Sequence, residues 1–353
     1  MSQGVVLRRR SIILDVNERP EIWQPLTGMP EGAERWGNAQ YRVLERRWLE
    51  ARARMKAGDP ADRFIAAWLA ERNRAFAIET GQIEGLYTLK RGVTEQLIAE
   101  GFTGVVSAHT LESVDDETIK GLLEDQTAAS EMVWQDVADG RGLSASVLKS
   151  WHALLTRHQK MVAGLAVVGG ELRRVQVPFE RKGTWKIAPN DPRRPDGIVH
   201  QYCPPEHVES EIDRLLRIYN DEVVPRQYPV EVEAAWLHHR FVRTHPFQDG
   251  NGRVSRLLMA YVYVKRNLPP PIVTAVAKPA YIAVLEEADK GDLRAFVDRI
   301  AVLALDQVQS AARIADQALS GILNRPTGNG GRRVGDDYLP PCNGEPTLGE
   351  LGG

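Results

Sequence analysis

Apolar side chains recur along most of this chain with the 3.6-residue period of an α-helix, and few stretches alternate with the period of 2 that marks a strand. The spacing of Ile65, Trp68, Leu69, Arg72 and Phe76 predicts a helix from about Asp62 to Glu79, and a second short helix is expected after Gly81, over Gln82 to Leu89. Further helices are expected near Glu117 to Val137 and after Ser144, an N-cap followed by Val147, Trp151, Leu154 and Leu155. The stripe Val208, Ile212, Leu215, Leu216, Tyr219 predicts another. A helix from Val230 to about Arg243 is followed by a loop and a new helix near Asn251, with Val254, Leu257, Leu258, Tyr261 and Val262 on one face. Pro269-Pro270-Pro271 closes that region, and two helices follow near Pro279–Lys290 and Asp292–Leu319.

Two short stretches read as β. Arg173-Arg174-Val175-Gln176-Val177 alternates, as does, more weakly, Ile198-Val199-His200-Gln201-Tyr202. Asp191-Pro192-Arg193-Arg194-Pro195 lies between them, so a hairpin with a long, mobile tip is expected. The fold class is therefore mainly α with a small β-hairpin. From Gly321 onward Gly, Pro, Asn, Arg and Asp dominate, and a disordered tail over 321–353 is expected.

Composition narrows the functional classes. The 353 residues allow two domains or one large domain with extensions. With 45 basic and 47 acidic residues the net charge is −2, which argues against a generic nucleic-acid or membrane-surface binder. The two cysteines, Cys203 and Cys342, leave neither a disulfide framework nor a Cys-rich zinc site to be expected. Arg8–Arg10 precede only a short apolar run, and no stretch approaches the ~20 apolar residues of a membrane span. A cytoplasmic protein is expected.

The chemistry concentrates in His245-Pro246-Phe247-Gln248-Asp249-Gly250-Asn251-Gly252-Arg253-Val254-Ser255-Arg256. One helix ends and another begins here. Gly250 and Gly252 let the backbone turn and approach a ligand closely. The first amides of the new helix make an anion site, reinforced by the helix dipole. Arg253 and Arg256 share a side of its first turns. Asp249 is a hard oxygen ligand suited to Mg²⁺, and His245 is the natural general base. A base, a metal carboxylate, an amide nest and two arginines are the parts that phosphoryl-type transfer requires. His238 and His239 point in different directions on a helix, so they are expected as surface or core histidines, not as metal ligands.

This segment resembles the signature of the Fic (AMPylator) family, His-x-Phe-x-Asp/Glu-Gly-Asn-Gly-Arg-x-x-Arg, at every fixed position. The resemblance implies a Fic-type helical bundle with a core over about 145–300, an N-terminal helical region over 1–140, and a C-terminal continuation over 301–320. It implies a protein adenylyltransferase that moves AMP from ATP to a hydroxyl of a target protein or of itself. His245 would take the proton. Asp249 would hold Mg²⁺. Asn251, Gly250 and Gly252 would bind α- and β-phosphate oxygens, Arg253 the pyrophosphate, and Arg256 the γ-phosphate. Phe247 would anchor the loop. The hairpin at 173–202 would dock the target by strand addition. Tyr281 would line an adenine pocket, or be a core aromatic.

Thr80-Gly81-Gln82-Ile83-Glu84-Gly85 resembles the family's inhibitory-helix pattern, here N-terminal to the core. Glu84 would pair with Arg256 and keep ATP from binding productively. Some members also reverse the reaction, with this glutamate positioning water. Other nucleotide or phosphate-linked donors, and a nucleotide-binding regulator with little turnover, are the competing readings. The sequence leaves a homodimer open and predicts no nucleic-acid partner.

Overall fold

The computed structural model describes residues 22–89, 91–100, 116–168, 171–192 and 199–320. It is mostly helical. Helices α1 (Ala39–Arg54), α2 (Pro60–Ile83), α3 (Arg91–Glu100), α4 (Asp116–Ala138) and α5 (Ala145–Leu155) precede one antiparallel pair, β1 (Met161–Val168) and β2 (Glu171–Pro178). Then come α6 (Val208–Ile218), a π-helical turn (Tyr219–Val223), the short α7 (Val224–Arg226), α8 (Val230–Thr244), α9 (Asn251–Lys265), α10 (Lys278–Asp289) and α11 (Arg294–Leu319).

Helices α8 and α9 pack together at the centre. Val232, Ala234, Ala235, Trp236 and Leu237 are consecutive or nearly so, yet all are fully buried. On α9, Val254 through Val264 is buried without a break. A helix buried on every side belongs in the middle of a bundle. Around this pair α11 packs on α1, α2 on α4, and α4 on both α5 and α9. Trp48, Ile65, Trp68 and Phe76, from α1 and α2, lie in the same apolar core as α8 and α9.

Buried carboxylates fasten the segment before α1 to this centre. Leu26 donates its amide to Glu211 at 2.9 Å, and Asn38 donates to Glu231 at 2.8 Å. Glu233 takes the Tyr219 hydroxyl at 2.8 Å and pairs with Arg266. Each buried acid is matched by a donor, as the cost of burying a charge demands.

Most expected helices are present. Ser144 caps α5, accepting the Val147 amide at 3.2 Å. Two expectations are corrected. No separate helix covers 82–89: α2 runs through Gly81 to Ile83 and ends at Glu84, with Gly85 in a left-handed conformation at φ 69°. Gly81 does not break the helix because it is a packing site. A Cβ there would meet the Tyr87 hydroxyl at 2.1 Å. The second correction concerns the hairpin. Strand Glu171–Pro178 pairs with Met161–Val168, not with 198–202. Only two residues, Gly169-Gly170, separate those strands in sequence, so adjacent pairing outcompetes a distant partner. The expected disordered tail and most of the expected loop tip lie outside the described residues, as does Arg8–Arg10.

Candidate active site

His245 terminates α8 in the left-handed region, at φ 48° and ψ 56°, with its amide on the Phe241 carbonyl at 3.0 Å. A non-glycine residue held there costs on the order of 1 kcal/mol. That turn ends the helix, and the chain continues into the loop that precedes α9. The ring Nδ1 lies 3.2 Å from the Val242 carbonyl, which accepts only, so Nδ1 carries the proton and Nε2 keeps its lone pair. The ring stacks on Tyr202 at 3.7 Å and 5°. Burial, then the neighbouring Lys186 ammonium, pull the imidazole down to about 3, so it is neutral at physiological pH.

The turn that follows is clamped from several directions. Phe247 is fully buried and stacks on His152 at 3.7 Å and 6°. His152, from α5, accepts the Gly183 amide at Nδ1, 2.8 Å away, so its Nε2 carries the hydrogen and donates to the Asp249 carbonyl at 2.9 Å. Burial holds this imidazole down to about 4. Asn251 accepts the Phe247 amide and donates to the Phe247 carbonyl, both at 2.8 Å. Its side chain, expected on phosphate oxygens, is thus engaged within the loop, as a clasp across the turn. Gly250, at φ 78°, is the N-cap of α9 and supplies a backbone conformation that side chains disfavour.

Asp249 and Arg253 meet beyond the clasp. Asp249 Oδ2 takes Gln159 Nε2 at 2.7 Å and Arg253 Nη2 at 3.2 Å. Burial alone would raise this carboxyl, but Arg253, Gln159 and the Gly250 amide outweigh it and hold it below the usual carboxylate range. Its side chain stays 37% exposed. Arg253 is fully buried, and its Nε and Nη1 have no partner among the described residues. Unmatched donors on a buried cation suit an anionic ligand. Among the described residues no group of three or more His, Cys, Asp or Glu gathers around a point. A metal here would rest on one carboxylate, water and substrate oxygens, a mode that suits Mg²⁺.

Arg256 is 2% exposed and is met from outside the loop. Glu84 Oε1 lies 2.7 Å from its Nη2, while Thr80 takes Nε at its hydroxyl and Nη2 at its carbonyl, both at 3.3 Å. The same Glu84 oxygen lies 2.6 Å from where a Cβ on Gly252 would stand. The end of α2 therefore sets a carboxylate on the first turn of α9, where amides and dipole favour an anion. Lys278 Nζ on the Ile83 carbonyl at 2.7 Å, and the Ala275 amide on Glu79 at 2.8 Å, tie that helix end down.

Tyr281 is buried, and its hydroxyl lies 2.5 Å from His238 Nε2 beside Arg256. This is the core-aromatic placement. His238 and His239 are buried too, bonded to Ser255 at 2.9 Å and Asp289 at 3.0 Å. Sequence reasoning missed His152, Gln159, Lys186, Asn190 and Tyr202. None lies in the loop, and each reaches it only through the fold. The one available signal was His152, a polar residue at a core position of α5.

No helix among the described residues is long and apolar enough to cross a membrane. A family model described as Fic/DOC family matches residues 142–263. A protein adenylyltransferase fic-1 of Caenorhabditis elegans is 34% identical over 40% of this chain and 26% of its own length. A protein adenylyltransferase Fic of Nematostella vectensis is 32% identical over 30% of this chain and 25% of its own. The chain thus spans about a quarter of these curated relatives. A Fic domain containing signaling protein from Bacteroides thetaiotaomicron superposes with a TM-score of 0.63 at 21% identity, over 79% of this chain and 97% of that one, which speaks to fold. The His245–Arg256 loop, between the two central helices, lies inside the segment 142–263 that the Fic/DOC family model matches.

Proposed function

We propose that this chain is a protein adenylyltransferase held in check by its own Glu84. The observation that carries the reading is the convergence, on one helix start, of a neutral imidazole with a free Nε2, a half-exposed ionised Asp249 and two buried arginines. In the reaction, the hydroxyl oxygen of a target side chain attacks the α-phosphorus of ATP. The bond from that phosphorus to the bridging oxygen of the β-phosphate breaks, and pyrophosphate leaves. The hydroxyl proton passes to His245 Nε2. Arg253 stabilises the negative charge that develops on the pyrophosphate, and the amides of the first turn of α9 orient the phosphates. Asp249 would hold Mg²⁺, which supplies charge neutralisation at the phosphates. Incoming phosphate charge raises the His245 pKa from its resting value and makes it a stronger base when substrate is in place.

Glu84 acts as the brake because it occupies Arg256 and the anion site together. ATP that binds against it lacks its γ-phosphate partner. The target docks along an edge of the β1–β2 pair by strand addition.

The test uses ATP labelled at the α-phosphate with Mg²⁺ and follows label on protein. Wild type, Glu84→Gly, and Glu84→Gly with His245→Ala are compared. Strong label only in the Glu84→Gly form supports the reading. Label from UTP, GTP or CTP but not ATP would redirect it to another donor. No label in any form, with ATP still bound, would overturn it.

A further inference from the structure

The segment after β2 supplies a second layer behind the catalytic loop. The Lys186 amide donates to the Pro246 carbonyl at 2.8 Å. Asn190 Nδ2 donates to the Phe247 carbonyl at 2.9 Å and the Gln248 carbonyl at 3.2 Å. Three consecutive loop carbonyls, 246 to 248, are thus taken by residues 186 and 190. The same two residues are joined through their side chains: Lys186 Nζ donates to Asn190 Oδ1 at 2.8 Å. Lys186 is 4% exposed, unusual for a lysine with no carboxylate as its hydrogen-bond acceptor. Its ammonium lies 5.8 Å from the centre of the Tyr202 ring, and that ring stacks on His245 at 3.7 Å. Cation, phenol and imidazole are thus near neighbours.

We propose that Lys186 is a positioning residue for His245. Its ammonium, anchored on Asn190 and set against Tyr202, holds the imidazole in its neutral, proton-accepting form, while its amide and Asn190 fix the loop that carries it. The proposal rests on the reading of His245 as the base. A cation burdens the imidazolium and not the imidazole, so it keeps Nε2 free and speeds release of a captured proton. The other groups that face His245 are Asp249, which favours the imidazolium, and His200, which opposes it; Tyr202 presents a neutral ring. The Lys186 ammonium is itself held down to about 8, by burial first, with Asp191 and Cys203 acting against that. It still carries its charge at neutral pH.

The experiment compares Lys186→Met with Lys186→Arg, which keeps the charge, in the Glu84→Gly background. Two quantities are read: the pH at which labelling from ATP falls to half on the acid side, and protonation of the His245 ring, followed by NMR of ring-labelled histidine and assigned with His245→Ala. The expected result is that Lys186→Met moves both upward by about one pH unit relative to Lys186→Arg. Lys186→Gln, which keeps a donor for Asn190, makes the same comparison should the Met variant lose its native amide spectrum. Equal acid limbs and equal ring protonation in the neutral and charged variants would overturn the proposal. Absence of label in all forms would count against AMP transfer alone, and ring protonation would still decide the role of Lys186.

Discussion

Residues 245–251 and Arg256 belong to one motif but are held by different forces. The backbone at the front of the loop is set by neutral groups: the His152 ring, the Asn190 and Asn251 amides, and the stack of Phe247 on His152. All of these partners lie inside the matched segment 142–263. Arg256 is set by a carboxylate and a hydroxyl from the end of α2, more than 50 residues before that segment begins. Neutral hydrogen bonds in a packed aromatic setting are short-ranged and costly to rearrange, which suits atoms that must not move. A single part-exposed ion pair is the weaker link and competes directly with any anion that needs the same arginine. On the function proposed above, the His245 side is the part that stays in place and the Arg256 side the part that is released.

Four measurements test this contrast. The largest effect is expected from His245→Ala in the Glu84→Gly background: loss of about 10³-fold in labelling rate, the range of a general base, with ATP binding retained in a nucleotide-binding assay. Next is Phe247→Ala, which empties a fully buried site under the loop and is expected to cost about 3–5 kcal/mol by denaturant unfolding. A cost near zero would mean that the stack on His152 is ornamental to the fold.

The third measurement is pH dependence. The native pKa of His152 is about 4 and that of His245 about 3, both below the ordinary value of 6.5. Between pH 6.5 and 4 the unfolded chain therefore takes up protons that the native state refuses, and stability falls as pH falls, by at most about 1.4 kcal/mol per unit for each group. The partly buried Glu45 and Glu79 and the buried Glu231 are raised by desolvation and act in the opposite sense. The readout is accordingly the difference from His152→Phe, whose stability should fall less steeply over that window. An unchanged slope would show that His152 does not stay neutral. The smallest effect is expected for Glu84→Gly: about 1–2 kcal/mol of unfolding stability, because Thr80 continues to hold Arg256. A loss as large as that of Phe247→Ala would mean that the α2 end is part of the scaffold and not a brake.

The helices were readable because their apolar positions repeat, and the loop because its glycines, histidine and arginines sit within twelve residues. Two local signals misled. Gly81 reads as a breaker, yet it remains helical because Tyr87 fills the space of its missing side chain. Ile198–Tyr202 reads as the partner of β2, yet Tyr202 serves as the platform under His245. In both places the residue's partner, and not its own preference, decides its role.

Short spacings along the chain were enough for a helical bundle, for the helix–loop–helix that sets His245 just before the first amides of a new helix, and for a carboxylate at Glu84 ahead of both. The folded arrangement settled which atoms meet. It turned Asn251 inward as a clasp, brought Lys186 and Asn190 against carbonyls some 60 residues away, and set Glu84 on Arg256 across 172 residues. Hydrogen bonds and ion pairs act over about 3 Å and carry no periodic trace along the chain, so contacts between distant segments appear only when the apolar core has folded and brought them together.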